Sequence, residues 1–402
     1  MEPKPPLKPR SALILIVIAQ FLGTSLWFAG NAAIPQISLL LDQADLTAWI
    51  TSSVQLGFIS GTLIFAVFSV PDRYSPRVVF LISALLAAFF NLLITLAPLS
   101  VGLVLSFRFM VGFFLAGIYP VGMKIASDYF EKGLGAALGF LVGALVLGTA
   151  FPHLIRALDV QYDWPLIFWM TSGLAVLGGL LIGIFVPDGP YRRKNLQFDW
   201  GVLPSLSKIP ALKSAASGYF GHMWELYTFW AFVPALLYSL GNYELTSFEN
   251  GIYSFLIIGI GGISCAIGGI IAHRIGSEQT ALISLFGSGI CCLILFAFPG
   301  IPTNLILPFL LAWGMLVTAD SPQFSALVAQ ATPAMYRGTA LTLVNCMGFS
   351  LTIVSIQLGQ FLLTYFPPTT VLGSLVIGPA AGLLLFKFFQ KNRETPSESL
   401  PA

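Results

Sequence analysis

Four polar side chains stand inside long apolar runs of this 402-residue chain: Arg108, His222, Glu225 and Asp320. A charge at the centre of a bilayer costs at least about 2.5–3.5 kcal/mol on insertion scales. Such a residue therefore needs a partner, a watery cavity or a function. Buried ion pairs are a poor source of stability, which favours function for Arg108 and Glu225. Arg108 reads as a site for an anionic group or as an exchange partner for a carboxylate. Glu225 reads as a proton carrier, a buried carboxyl able to take up and release one proton. His222 lies three residues before Glu225 and shares its helix face. It reads as a pore-lining or hydrogen-bonded histidine, since His-x-x-Glu alone is a weak metal signal. Asp320, followed by Ser321 and Pro322, fits equally a cavity acid and a broken helix end.

The elements that must hold these residues are membrane helices. The chain is 56% hydrophobic and 9% charged, against about 25% charged in soluble domains. Too few polar groups exist to cover a water-facing surface. A spanning helix needs about 20 mostly apolar residues, and twelve segments qualify, near 12–35, 47–70, 77–97, 101–128, 134–156, 164–186, 214–240, 250–272, 279–299, 303–327, 338–366 and 369–390. These are helices 1 to 12. The expected organisation is a first six-helix unit at 1–187, a polar linker at 188–213, a second unit at 214–390 and a tail at 391–402. Cys265, Cys291, Cys292 and Cys346 all fall in apolar runs and read as small packing residues. No zinc spacing, disulfide framework or nucleotide-binding loop is present. No metal, cofactor or nucleic acid is expected.

Charge orients the chain. With the N-terminus in the cytoplasm, of the 19 Lys and Arg only Arg156 falls outside, while Arg108 and Lys124 lie within helix 4. Lys4, Lys132, Arg193, Lys194 and Arg393 are among the cytoplasmic ones. Asp42, Asp45, Asp159, Asp163, Glu244 and Glu249 occupy the outer loops. This is the positive-inside pattern, and it predicts a multi-pass protein of the plasma (inner) membrane with both termini cytoplasmic.

A polar turn recurs. Residues 68–77 read FSVPDRYSPR and residues 269–277 read GIIAHRIGS, placing Asp72-Arg73 and His273-Arg274 alike in the two halves. With Arg108 and Gly112 in LSFRFMVGFFLAG, these turns resemble the major facilitator superfamily over essentially the whole chain. The first copy keeps Asp72, Arg73 and Arg77; the second keeps Gly269, Ala272, Arg274 and Gly276. The resemblance implies an all-α integral membrane protein of two pseudo-symmetric six-helix bundles that rock about a central cavity. It implies contact of helix 2 with helix 11 and of helix 5 with helix 8. Small residues at four-residue spacing agree: Gly57 and Gly61 in helix 2, Gly135, Gly139 and Gly143 in helix 5, Gly261 and Gly269 in helix 8. Tight packing within one bundle is the alternative reading of these glycines. The Gly-Pro pair of the family's antiporters is absent from helix 5, where Gly148 and Pro152 stand apart.

The resemblance places helices 1, 4, 7 and 10 along the pathway. Candidate lining residues there and nearby are Asn31, Gln55, Tyr119, Tyr227, Trp230 and Asn345, with Gln20 and Trp27 in helix 1. It also implies a cytoplasmic charge cluster of Asp72, Arg73, Arg77, Asp128 and Arg337 that latches the halves in the outward-open state. The functional expectation is a secondary, proton-coupled transporter of a small organic solute, with Arg108 leaning toward an anionic one, acting as a monomer in the lipid bilayer and not as an enzyme. Alternatives are a proton-driven efflux pump for amphipathic cations, a passive facilitator, a transporter-like receptor and a membrane-bound transferase. If the latch exists, Asp72→Asn raises labelling of cysteines placed in the cytoplasmic cavity; unchanged labelling refutes it.

Overall fold

The computed structural model describes residues 7–43, 46–130, 134–158, 163–192, 199–240 and 245–391. Lys4, Asp45, Lys132, Asp159, Arg193, Lys194, Glu244, Arg393 and part of the linker lie outside the described residues. Among those described, eleven helices are long and apolar enough to cross a membrane. They are helix 1 (Pro9–Leu40), helix 2 (Thr47–Val67), helix 3 (Pro76–Leu96), helix 4 (Val101–Ser127), helix 5 (Ala137–Leu158), helix 6 (Trp164–Phe185), helix 8 (Ser247–Ile275), helix 9 (Ser277–Ala297), helix 10 (Asn304–Ala331), helix 11 (Arg337–Leu363) and helix 12 (Pro368–Lys391). The helix at Pro210–Leu240 has 31 residues, about 46 Å at 1.5 Å per residue. It is helix 7, and it is less apolar for a reason. Ser214, His222, Glu225, Thr228 and Trp230 are all buried in it, and it packs against helices 8 to 12. It faces protein more than lipid.

Three helices break in mid-course. Helix 1 consists of Pro9–Thr24 and Ala29–Leu40, helix 4 of Val101–Leu115 and Tyr119–Ser127, helix 10 of Thr303–Ala319 and Ser321–Ala331. Pro120 and Pro322 cause two of the breaks: each lacks an N–H and crowds the carbonyl four residues back, at Ala116 and Thr318. In helix 1 the side chains of Thr24 and Ser25 donate to the carbonyls of Gln20 and Leu22 at 2.8 and 2.7 Å. Such back-bonding bends helices.

The packing repeats with a shift of six. Helix 2 lies on helix 4 as helix 8 lies on helix 10; helices 1 and 6 pair as helices 7 and 12 do; helices 1 and 5 match 7 and 11; helices 3 and 4 match 9 and 10. Between the halves, helix 5 meets helix 8 and helix 2 meets helix 11, and the same shift exchanges these two contacts. Outward-facing side chains such as Ile14, Leu56, Phe89, Ile263 and Phe286 are exposed, as lipid contact requires. The end that holds the Asp72 and Arg274 turns is here the basic end. The opposite end, with Asp42, Asp163 and Glu249, is the acidic end.

The glycines divide differently from the spacing rule. A Cβ on Gly57 or Gly61 would strike the Phe109 or Phe113 carbonyl, and one on Gly112 the Val54 carbonyl. These residues close the helix 2–helix 4 crossing inside the first half, so the expectation that Gly57 and Gly61 face the other half is corrected. Four-residue spacing marks a close-packing face but does not say which neighbour fills it. Gly261 packs against Thr318 of helix 10, and a Cβ on Gly269 would meet nothing within 4 Å; both are corrected likewise. The crossing between halves is made by Gly143 and Gly262, each placing its would-be Cβ 2.7–2.8 Å from the other's carbonyl oxygen, with Gly139 3.4 Å from the Cys265 carbonyl. Gly135 lies in the first turn of Leu134–Leu158, and its neighbours fall outside what is described. Gly143→Ala should force helices 5 and 8 apart at a cost of about 1–3 kcal/mol and lower the melting temperature in detergent. Gly269→Ala should leave it level or raise it. Equal melting of the two variants would refute the crossing.

Candidate functional site

Arg108 is fully buried, and its guanidinium holds the break of helix 1. Nη2 donates to the Leu26 carbonyl at 3.0 Å and to the Trp27 carbonyl; Nη1 donates to Asn91 Oδ1 at 3.1 Å. Asn91 in turn donates to the Phe168 carbonyl, Thr171 Oγ1 and Ser172 Oγ at 2.9–3.2 Å. One arginine thus ties helices 1, 3, 4 and 6. Among the described residues no carboxylate pairs with it. The expected anion-binding role is therefore corrected: the guanidinium serves the carbonyls at the break, of which Leu26's also accepts from the Ala29 N–H at 3.4 Å. Asn91 was the missed partner, an amide in helix 3 with no charge to draw attention to it.

Glu225 is also fully buried, within the second half. Its carboxylate accepts from Trp313 Nε1 at 2.6 Å, Ser288 Oγ at 2.8 Å and Cys292 Sγ at 3.4 Å. It points to helices 9 and 10 and is not part of the cavity wall. One turn away, His222 Nδ1 lies 2.8 Å from Asp320 Oδ1, both side chains at 0% exposure. Asp320 is the residue at which helix 10 breaks.

Between the halves lies a cavity lined by Tyr119 of helix 4, Val142, Leu145 and Val146 of helix 5, and Tyr219, Met223, Leu226, Tyr227 and Trp230 of helix 7. Thr318, Ser321 and Ser325 of helix 10 and Asn345 and Phe349 of helix 11 complete it. Helices 5 and 11 thus join the expected pathway. The volume open to the centre of a water molecule is about 20 Å³, enough for roughly one water; the halves must part to admit a solute. Tyr119, Tyr227, Trp230 and Asn345 lie on the wall as expected. Tyr219 and Met223 were missed, although they share a helix face with Tyr227 and Trp230. Tyr219 donates to Asn345 Oδ1 at 2.5 Å. Asn31 is turned to helix 2, donating to Thr51 Oγ1 at 2.6 Å. Gln20 and Gln55 are buried with amides that have no partner among the described residues. None of these three lines the wall.

The acidic end is shut. Trp27 and Phe28 of helix 1 and Phe58 of helix 2 meet Tyr227, Trp230 and Phe349 of the other half, with ring centroids 4.6–6.4 Å apart. Beyond this layer Gln357 donates to Ser52 Oγ at 2.9 Å, and Arg156 to Ser247 Oγ at 3.4 Å.

At the basic end the charge cluster belongs to the first half alone. Lys124 Nζ lies 2.9 Å from Asp72 and 3.7 Å from Asp128. Burial pushes the Asp128 carboxyl up to about 6, with Lys124 pulling it down. Asp188 accepts from Ser75 at 2.6 Å and from Arg192 at 2.7 Å, closing the chain after helix 6 over the same turn. Among the described residues, none of the expected members Arg73, Arg77 and Arg337 pairs with Asp72 or Asp128. Arg73 is exposed, Arg77 makes no ion pair among the described residues, and Arg337 Nε donates to the Thr332 carbonyl of its own half at 3.3 Å. With the acidic end shut, the outward-open state in which the latch is expected is not the one seen. Lys124, which was read only as closing helix 4, is the bridging cation.

The description of the Major Facilitator Superfamily matches residues 16–356. The chain is 23% identical over 381 residues to an agnestins efflux protein of Paecilomyces divaricatus, covering 90% of this chain and 84% of that protein. It is 26% identical over 335 residues to a niacin transporter of Acinetobacter baylyi, covering 70% and 72%.

Arg108→Met should strand the Trp27 carbonyl and the Asn91 oxygen, each worth about 1–3 kcal/mol, and leave the Leu26 carbonyl only the long bond from Ala29. The purified variant should melt well below the parent, and Arg108→Lys should recover only part, lacking the planar fork. Melting unchanged in Arg108→Met would refute this role.

Proposed function

The chain belongs to the major facilitator superfamily and is a membrane transporter rather than an enzyme; from that premise we propose a secondary active transporter that moves a small organic solute by alternating access, coupled to protons. The basic end faces the cytoplasm, the membrane is the plasma (inner) membrane, and the working unit is a monomer. The distribution of Lys and Arg supports the orientation.

The observation that carries proton coupling is the His222–Asp320 pair. It lies directly behind the cavity wall: Tyr219 and Met223 line the cavity on either side of His222, Thr318 and Ser321 on either side of Asp320. It sits where helix 10 breaks, so its state bears on the angle between the two helical segments. The groups near it are Glu225 and Tyr219 from helix 7 and Cys265 from helix 8. A proton held between imidazole and carboxylate keeps the pair neutral overall. Its removal leaves a bare carboxylate in a dry interior, which is costly. Proton exchange therefore belongs to the states in which water reaches the cavity. This moves the coupling role from Glu225, which three donors already satisfy, to the pair one turn below it.

A second reading, proton-driven efflux of amphipathic compounds, draws on the relative named an efflux protein and on the aromatic wall. Both readings face one experiment. Ligands that raise the melting temperature in a screen of metabolites and drugs are added to proteoliposomes loaded with a pH dye. Ligand-dependent proton movement is expected, inward or outward with the direction of coupling. Asp320→Asn and His222→Gln should abolish accumulation driven by the gradient while ligand counterflow continues. Ligand flux without proton movement would leave a passive facilitator.

A further inference from the structure

We propose that the cavity between the halves takes a flat, uncharged aromatic solute bearing an oxygen acceptor, and that the indole N–H of Trp230 recognises that oxygen. The proposal rests on the reading of this cavity as the solute pathway. Its first support is charge. Among the described residues no ionic side chain lines the wall. Arg108 is engaged by helix 1 and Glu225 by helices 9 and 10. A carboxylate or ammonium entering here would lose its water without gaining a counter-charge.

The second support is the kind of hydrogen bonding left open. Trp230 is 1% exposed and its Nε1 has no partner. An indole nitrogen can only donate, and a buried donor without an acceptor is costly. Asn345 has its oxygen occupied by Tyr219, which leaves its amide N–H groups. Trp27 Nε1 is likewise without a partner among the described residues. Two indole donors thus stand beside the rings, and an acceptor is what they lack.

The third support is the set of ring faces. Trp27 of the first half lies against Tyr227 at 6.0 Å and 30° and against Phe349 at 5.8 Å and 26°, both of the second half. When the halves part at this end, Trp27 withdraws from both. Two bare faces are then presented to the widened cavity, and offset stacking on such faces favours a planar ring. The indole of Trp27 marks where a ring of the solute would lie.

The test is calorimetric titration of the purified full chain in detergent, at one pH and without a gradient. The probes are 2-naphthamide, its fully saturated analogue, 2-naphthoate and 2-naphthylmethylammonium. The amide should bind, and the saturated analogue and both ions should bind at least roughly tenfold more weakly. Trp230→Phe keeps a ring and removes the N–H. It should weaken the amide roughly tenfold in a protein that still shows a single melting transition. No binding of the amide, an ion or the saturated analogue binding as well, or indifference to Trp230→Phe in a folded variant would each overturn the proposal. The probe series on the parent protein decides the matter even where the variant fails to fold. Amide binding without coupled flux would sink only proton coupling, and coupled flux without amide binding would sink only this assignment.

Discussion

A backbone carbonyl that leaves its helix inside a membrane must find a donor in the protein, because lipid supplies none. The Arg108 guanidinium answers that demand at the break of helix 1, and much of the first half is arranged around it. Helix 3 contributes Asn91, helix 6 receives the other side of that amide, and helix 4 carries the arginine. The break in turn sets the direction of Trp27 and Phe28, the residues that shut the acidic end. A charge that draws attention as a ligand site is instead the means by which a bent helix is tolerated.

The second half meets the same demand with different chemistry. Its helix 10 breaks at an acid, and the acid is held by a histidine from helix 7. Glu225 lies one turn away, held by Trp313, Ser288 and Cys292. The first half thus stabilises its break with a permanent cation, the second with a pair that can change protonation. The two halves, alike in packing, meet the break with different chemistry.

The fold was largely legible. Apolar run lengths place the helices because a span must cover a known thickness, and the shift of six in the packing follows from the repeated turn. Directions around each helix were not legible. Gly57 and Gly261 lie at the expected spacing yet face their own halves, because spacing selects a face and the neighbour is set by how all twelve helices nest. Helix 8 shows the limit most plainly: Gly261 and Gly262 are adjacent, and one turns inward while the next meets helix 5. Of the site, Tyr227 and Trp230 could be placed because the resemblance puts helix 7 along the pathway. Asn91, Lys124 and Trp313 could not, since their roles come from partners far along the chain. Arg337 bonds its own half with the acidic end shut, and a residue type alone does not say in which state it would pair.

The Gly143–Gly262 crossing has a mechanical side. Two backbones meet there with no side chain between them. Toward the acidic end the same two helices meet again, where a Cβ on Gly251 would lie 2.8 Å from Ala157 Cβ and 2.9 Å from the His153 carbonyl. Two such approaches along one pair of helices make a seam rather than a point. A methyl group added at either place would act as a wedge felt along the whole seam, because packed helices transmit strain.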